Sequence, residues 1–219
     1  MFAAIVTTLL FSLSALSGRR LANHLPGTQA NVVRLILAAA VLGGYAHLFG
    51  FGISGPAFTL LFISGCVGFG IGDLALFQAY PRIGTRRTMV MVQCLAAPIA
   101  ALTEWIWLDT VPSAAQALFG GVILAGVAIA LLPSRAEAGP SHGLWAGCWF
   151  GLLAALCQAW GAVLSRKAYA LAAAQDFSIS GASGGINAAY QRLLGGLLIS
   201  AVFLLYLKLA HRPARRPCG

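Results

Sequence analysis

Residues 65–98 read GCVGFGIGDLALFQAYPRIGTRRTMVMVQCLAAP, two apolar runs joined by a short basic turn, Arg82 to Arg87. One acid, Asp73, stands inside the first run among Gly65, Gly68, Gly70 and Gly72. A carboxylate at the centre of an apolar helix costs about 2.5–3.5 kcal/mol to insert. The glycines beside it leave room for another helix to approach. Working outward from this pair, the rest of the chain is more runs of similar length.

Composition sets the class. Of 219 residues, 59% are hydrophobic and 9% charged, with a mean hydropathy of +0.85. A soluble domain carries about 25% charged residues, so too little polar surface is present to cover a soluble globule. A hydrocarbon core of about 30 Å takes roughly 20 apolar residues of helix. The runs have that length and lack the period-2 alternation of a barrel strand. The chain therefore reads as an all-α integral membrane protein with about seven transmembrane helices.

The runs are Phe2–Leu16, Arg34–Phe51, Ala57–Tyr80, Thr88–Leu108, Ala114–Leu132, Gly143–Leu164 and Ile186–Leu209. The first is read as a short membrane helix and not a signal peptide, because no basic residue precedes it and no small-x-small site closes it. The polar stretch Pro133–Pro140 reads as a linker, Gln175–Gly185 as a glycine-rich loop, and the tail from His211 is basic. The net charge of +9 is carried by the links between runs. It fits a positive-inside pattern that puts the N-terminus outside. No basic stripe interleaves with aromatics, so nucleic acid is excluded as a partner.

A repeat is visible. Ala15–Leu37 resembles Ala162–Leu198. In each, a helix ends in a basic pair, Arg19-Arg20 or Arg166-Lys167, and an arginine, Arg34 or Arg192, opens the next helix. Internal helix repeats are the usual plan of secondary transporters. The expected organisation is one five-helix repeat over residues 1–132 and a partial second repeat over 143–219, inverted, with two helices and the basic tail.

Several residues could carry chemistry. Asp73 is a proton or substrate site in a polar cavity, or a structural acid bonded to a neighbouring helix. Gln93, Ala97, Ala100 and Glu104 share one face of the fourth run around Pro98. Gly147, Gly151, Ala154, Gln158, Gly161 and Ser165 do the same on the sixth. Either stripe lines a cavity or packs against a helix. Trp145 and Trp149 suit an interfacial belt, and Trp160 with Gln158 suits a cavity. Arg34 and Arg192 are placed to contact an anionic group. No catalytic spacing, phosphate-cradling loop or metal-ligand pattern is present, and Cys66, Cys94, Cys148, Cys157 and Cys218 form no CxxC pair. No cofactor, metal or enzymatic activity is expected.

At residues 72–133, GDLALFQAYPRIGTRRTMVMVQCLAAPIAALTEWIWLDTVPSAAQALFGGVILAGVAIALLP, the chain resembles the EamA-like family of the drug/metabolite transporter superfamily. The likeness rests on Ala79, Arg82 and Gly84 closing one helix, Pro98 inside the next, and Gly126-Val127 in the closing helix. Trp160-Gly161 followed by Arg166-Lys167 looks like the start of the family's second repeat, truncated here. Where the family has Leu-Gly-Glu, this sequence has Leu108-Asp109-Thr110. The family's ten-helix members are expected to start inside, against the charge bias read above.

The resemblance implies two inverted five-helix halves that export small organic solutes by alternating access. The bundles would rock around a midplane cavity lined by runs one, three, four and six, in the inner (plasma) membrane of a bacterium. Asp73, Gln93, Gln158, Trp160, Arg34 and Arg192 are the candidate substrate-binding or coupling residues. The expected partners are a small-molecule substrate, the lipid bilayer, and a second copy or further C-terminal helices to complete the bundle. The alternative is a non-transporting membrane scaffold, or a fragment that needs a partner for the same purpose.

Overall fold

The computed structural model describes residues 26–108, 111, 113–131, 143–177 and 181–210. Within them lie α1 (Gly27–Phe49), α2 (Phe58–Gly65), α3 (Asp73–Ile83), α4 (Thr85–Leu108), α5 (Ala114–Leu131), α6 (Leu144–Ala174) and α7 (Gly181–Ala210). A π-helical segment, Cys66–Gly72, joins α2 to α3 without a break. Among the described residues every regular element is helical. In hydrocarbon no water satisfies a free N–H or C=O, and a helix satisfies them all internally.

Among the described residues, five stretches are long and apolar enough to cross a membrane: Gly27–Phe49, Phe58–Ile83, Thr85–Trp107, Leu144–Ala174 and Gly181–Ala210. The apolar part of α5, Ala114–Gly126, is shorter. The first run, the linker after Leu132, the Asp109-Thr110 turn and the tail from His211 lie outside the described residues.

Most helices are longer than the sequence expectation, although α1 ends two residues early, at Phe49. The link expected over Pro81–Arg87 contracts to Gly84, whose φ of 82° suits only glycine without strain. Pro81 and Arg82 are still in α3, and Arg86 and Arg87 are already in α4. The sixth run continues to Ala174, so Arg166 and Lys167 lie within α6 and not at its end. Part of the expected glycine-rich loop is the first turn of α7, which starts at Gly181. Arg34 and Arg192 do not open their helices either. Seven residues of α1 precede Arg34, and eleven of α7 precede Arg192. Glycines and charges punctuate helices in water, but in a bilayer the cost of a free backbone group carries the helix through them.

The core is built of small residues. α6 runs through its centre, packing on α2, the π segment, α3 and α4, while α7 packs on α1, α2 and the π segment. Ala57, Leu61, Ala168, Ala172 and Ala188 fill one end, and Ala79, Ile83 and Met91 the other, with Ala75, Val92 and Ala154 between. Large apolar side chains such as Ile36, Leu48, Ile106 and Trp145 are exposed, while Asn31, Ser64, Asp73, Asn187, Gln191 and Ser200 are buried. This reverses the arrangement of a soluble protein, as expected where the surrounding solvent is lipid.

The glycines of the opening stretch have a packing role. A Cβ at Gly65 would overlap the backbone carbonyl of Arg192, and one at Gly195 the carbonyl of Phe62. A Cβ at Gly161 would stand 3.2 Å from both Gly68 Cα and the Ser64 carbonyl oxygen. The π segment is thus wedged between α6 and α7 at backbone-to-backbone distance, the approach that small-xxx-small patterns permit. Ser64 locks the α6 side: its hydroxyl donates to the Gly161 carbonyl at 2.6 Å and lies 2.8 Å from the Ser165 hydroxyl.

Candidate functional site

Asp73 sits where the π segment returns to α-helix. It lies ten residues from Ile83, the end of its span. At 1.5 Å per residue that is about 15 Å, the middle of a core about 30 Å thick. Its residue is 2% exposed. π-helical turns are rare, and within longer helices they concentrate at functional sites.

The carboxylate is paired with the Arg34 guanidinium of α1, through Arg34 Nη2 and Asp73 Oδ2. The same Nη2 donates to Asn31 Oδ1 at 3.0 Å, one turn earlier on α1. The Asn31 amide nitrogen donates to the Ser200 hydroxyl on α7 at 3.0 Å. A polar chain therefore runs Ser200, Asn31, Arg34, Asp73, tying α7 to α1 to α3. The Arg34 side chain is 37% exposed against 3% for that of Asp73, so the cation is the accessible end.

Arg192 approaches the same site from α7. Its guanidinium carbon stands 4.7 Å from the centroid of the Phe69 ring, four residues before Asp73 on the same continuous span, and its charge interacts with Tyr169 as well as with Asp73. It passes over Gly68, where a Cβ would lie 3.6 Å from Nη2. Arg34 Nε and Arg192 Nε are both buried without a hydrogen-bond partner. Three of the six sequence candidates, Arg34, Asp73 and Arg192, are thus one cluster. Arg34 already has an anionic neighbour, and it is the protein's own Asp73.

The other three lie elsewhere. Gln93 is exposed on α4, as is Ala97 of the same stripe. Gln158 is half-buried on α6. The α6 stripe it belongs to is a packing face: Gly147 meets Arg82 and Ile83, Gly151 meets Met91, and Gly161 meets Gly68. Trp160, 49% exposed, lines a separate pocket of about 290 Å³ with Val67, Thr103, Trp107, Val163 and Leu164. Nearby, Arg166 pairs with Glu104, and Lys167 Nζ lies 4.4 Å from the centroid of the Trp107 ring. Glu104 therefore belongs to a peripheral ion pair and not to the Asp73 cluster.

Asn31 and Ser200 are the site residues that sequence reasoning missed. Each is a polar side chain inside an apolar run, the same signal that marked Asp73, but uncharged and so easily passed over. Gln191, also buried, donates to the Gly52 and Ser54 carbonyls at 2.8 and 3.1 Å and holds the turn after α1. Among the described residues no group of three or more His, Cys, Asp or Glu side chains could hold a metal ion.

Long apolar helices around a small buried polar cluster define an all-α integral membrane protein. The sequence pattern of the EamA-like transporter family matches residues 1–132, and the chain belongs to that family. Its members are membrane transporters of the drug/metabolite transporter superfamily, a class distinct from enzymes. No curated protein and no solved structure matches the chain.

Proposed function

We propose that this protein is a secondary transporter that exports small organic solutes by alternating access across the inner membrane of a bacterium, and that Arg34, Asp73 and Arg192 form its central site. The observation that carries this reading is the Arg34–Asp73 pair, partly buried near mid-depth and shared between α1 and α3. An ionisable group held inside a membrane bundle is expensive and marks a solute or ion path by default. Rocking of α1 against the α2–α3 helix would make and break that pair.

The repeat reading supports this arrangement. Arg34 and Arg192 hold corresponding places in the two similar segments, and they reach the site from α1 and α7, which pack on each other. The proposed units are residues 1–132 and 143–219, the second inverted. Gln93, Gln158 and Trp160 are assigned to outlying surfaces of the path.

The test is flux of candidate solutes into proteoliposomes holding the full chain, compared with empty liposomes and with Asp73→Asn. Flux above the empty control that falls at least about tenfold in Asp73→Asn supports the assignment. Equal flux with and without protein overturns the transport reading. Unchanged flux in the variant removes Asp73 from the site.

One observation favours a second reading, a scaffold whose bundle a partner or second copy completes. An apolar groove of about 510 Å³ lies open between α3, α6 and α7, lined by Ile71, Leu74, Phe150, Leu153, Ile199 and Phe203 among others. A stable complex in mild detergent, with flux only when the partner is present, would support it.

A further inference from the structure

Counted by charge, the central cluster is unbalanced. Arg34 and Arg192 each bring one positive charge and Asp73 one negative charge. The other carboxylate of a described ion pair, Glu104, is taken by Arg166 in a separate place. Among the described residues, one net positive charge therefore stays inside the bundle near mid-depth. Its cost there is high unless a counter-charge accompanies it.

We propose that this counter-charge is the substrate's, and that the central site takes an organic monoanion, held mainly by Arg192. This deepens the transport reading above and rests on the same site. Four features support the assignment. Arg34 is occupied by Asp73, whereas the ring contact of Arg192 with Phe69 satisfies a guanidinium face and leaves its N–H edge for an acceptor. Arg34 Nε and Arg192 Nε are two buried N–H donors without acceptors, supplied by two different helices. A planar guanidinium matches a carboxylate or phosphodiester better than any neutral group. Last, the Arg34 side chain is 37% exposed against 3% for that of Asp73, so the cation is the open side of the pair. A cationic solute would meet two guanidiniums against one carboxylate, and a neutral one would leave the imbalance in place.

Asp73 then acts as a resident competitor. It holds Arg34 while the site is empty and limits how tightly an incoming anion binds, which leaves the anion free to leave on the far side. Removing its charge should tighten binding, not abolish it.

The test is ligand-induced thermal stabilisation of the full chain in phosphatidylcholine nanodiscs, with three probes of one shape: benzoate, benzamide and benzylammonium. Benzoate is expected to stabilise, and the other two to do little. In Arg192→Gln the half-saturating benzoate concentration should rise about tenfold or more, the loss of one charge-assisted contact. Arg192→Lys should retain part of the response, and Asp73→Asn should lower the half-saturating concentration. Each variant is read against its own unliganded melting point. Should Arg192→Gln not fold, the three-probe series on the unaltered protein and on Arg192→Lys still decides.

Equal stabilisation by benzamide or benzylammonium, no response to benzoate, or an unchanged response in Arg192→Gln overturns the proposal. Repeating the titration with phosphatidylglycerol in the nanodisc separates two anion sources. A weakened benzoate response assigns the site to a lipid headgroup, and an unchanged one to a soluble anion; both uphold an anion site. Benzoate binding without flux would sink the transport reading and leave the anion site standing. Flux with a charge-blind response would do the reverse.

Discussion

The Arg34 guanidinium of α1 and the Asp73 carboxylate of α3 are ion-paired near the middle of the bundle, and Asn31 fixes the arginine from one turn away. Thirty-nine residues separate the pair along the chain. It therefore reports on tertiary packing and not on either helix alone.

Breaking this pair from one side leaves a charge in the interior. Asp73→Ala and Arg34→Ala should each destabilise the protein by about 2–3 kcal/mol. That lies below the 3–5 kcal/mol of a fully buried pair because the Arg34 side chain is 37% exposed. The double variant Arg34→Gln with Asp73→Asn should cost less than either single truncation. Unfolding in mixed detergent as a double-mutant cycle measures the coupling, and additive effects would refute it.

Asn31 serves two partners at once, so its loss should be felt on two helices. Asn31→Ala is expected to cost about 1 kcal/mol, in the range of interhelical hydrogen bonds in membranes. Ser200→Ala made on top of it should then cost almost nothing, because the shared bond is already gone. The same unfolding assay reads this non-additivity.

Backbone-to-backbone packing around the π segment predicts a sharp contrast between glycines. Gly65→Ala and Gly195→Ala place a methyl group on a backbone carbonyl of the facing helix, and each should cost about 3 kcal/mol or prevent folding. Gly44→Ala and Gly121→Ala meet nothing within 4 Å, and in mid-helix each should be neutral or stabilise by up to about 1 kcal/mol. Thermal stability of the four variants, measured side by side, checks the contrast.

Glu104 and Arg166 form the peripheral counter-example. Their pair lies at the edge, with the Arg166 side chain 66% exposed. Glu104→Gln should change stability by less than about 1 kcal/mol. It should leave flux intact if transport runs through the Arg34–Asp73 cluster. A large loss of flux with retained folding would move the site toward Trp160.

Much of this architecture is legible in the residues alone. A charge content of 9% with runs of membrane length leaves a helical membrane protein as the class, because lipid admits no open backbone. Asp73 stands out for the same reason, since an acid in an apolar run costs too much to be incidental. Arg34 and Arg192 were marked by their matching places in the repeat.

Tertiary structure alone decided which of these residues meet. Sequence read the arginines as helix openings, yet continued helices carry both into the bundle, where one is neutralised by Asp73. It read the glycines around Asp73 as room for a neighbour, and packing supplied two, α6 and α7. Gln93 and Trp160 share the composition of cavity residues but point elsewhere, one exposed on α4 and one in a side pocket. The reason is physical. In a bilayer most helix faces are apolar, so periodicity scarcely tells a buried face from a lipid-facing one. Which face turns inward is settled by where backbones can approach and where a buried charge finds its partner.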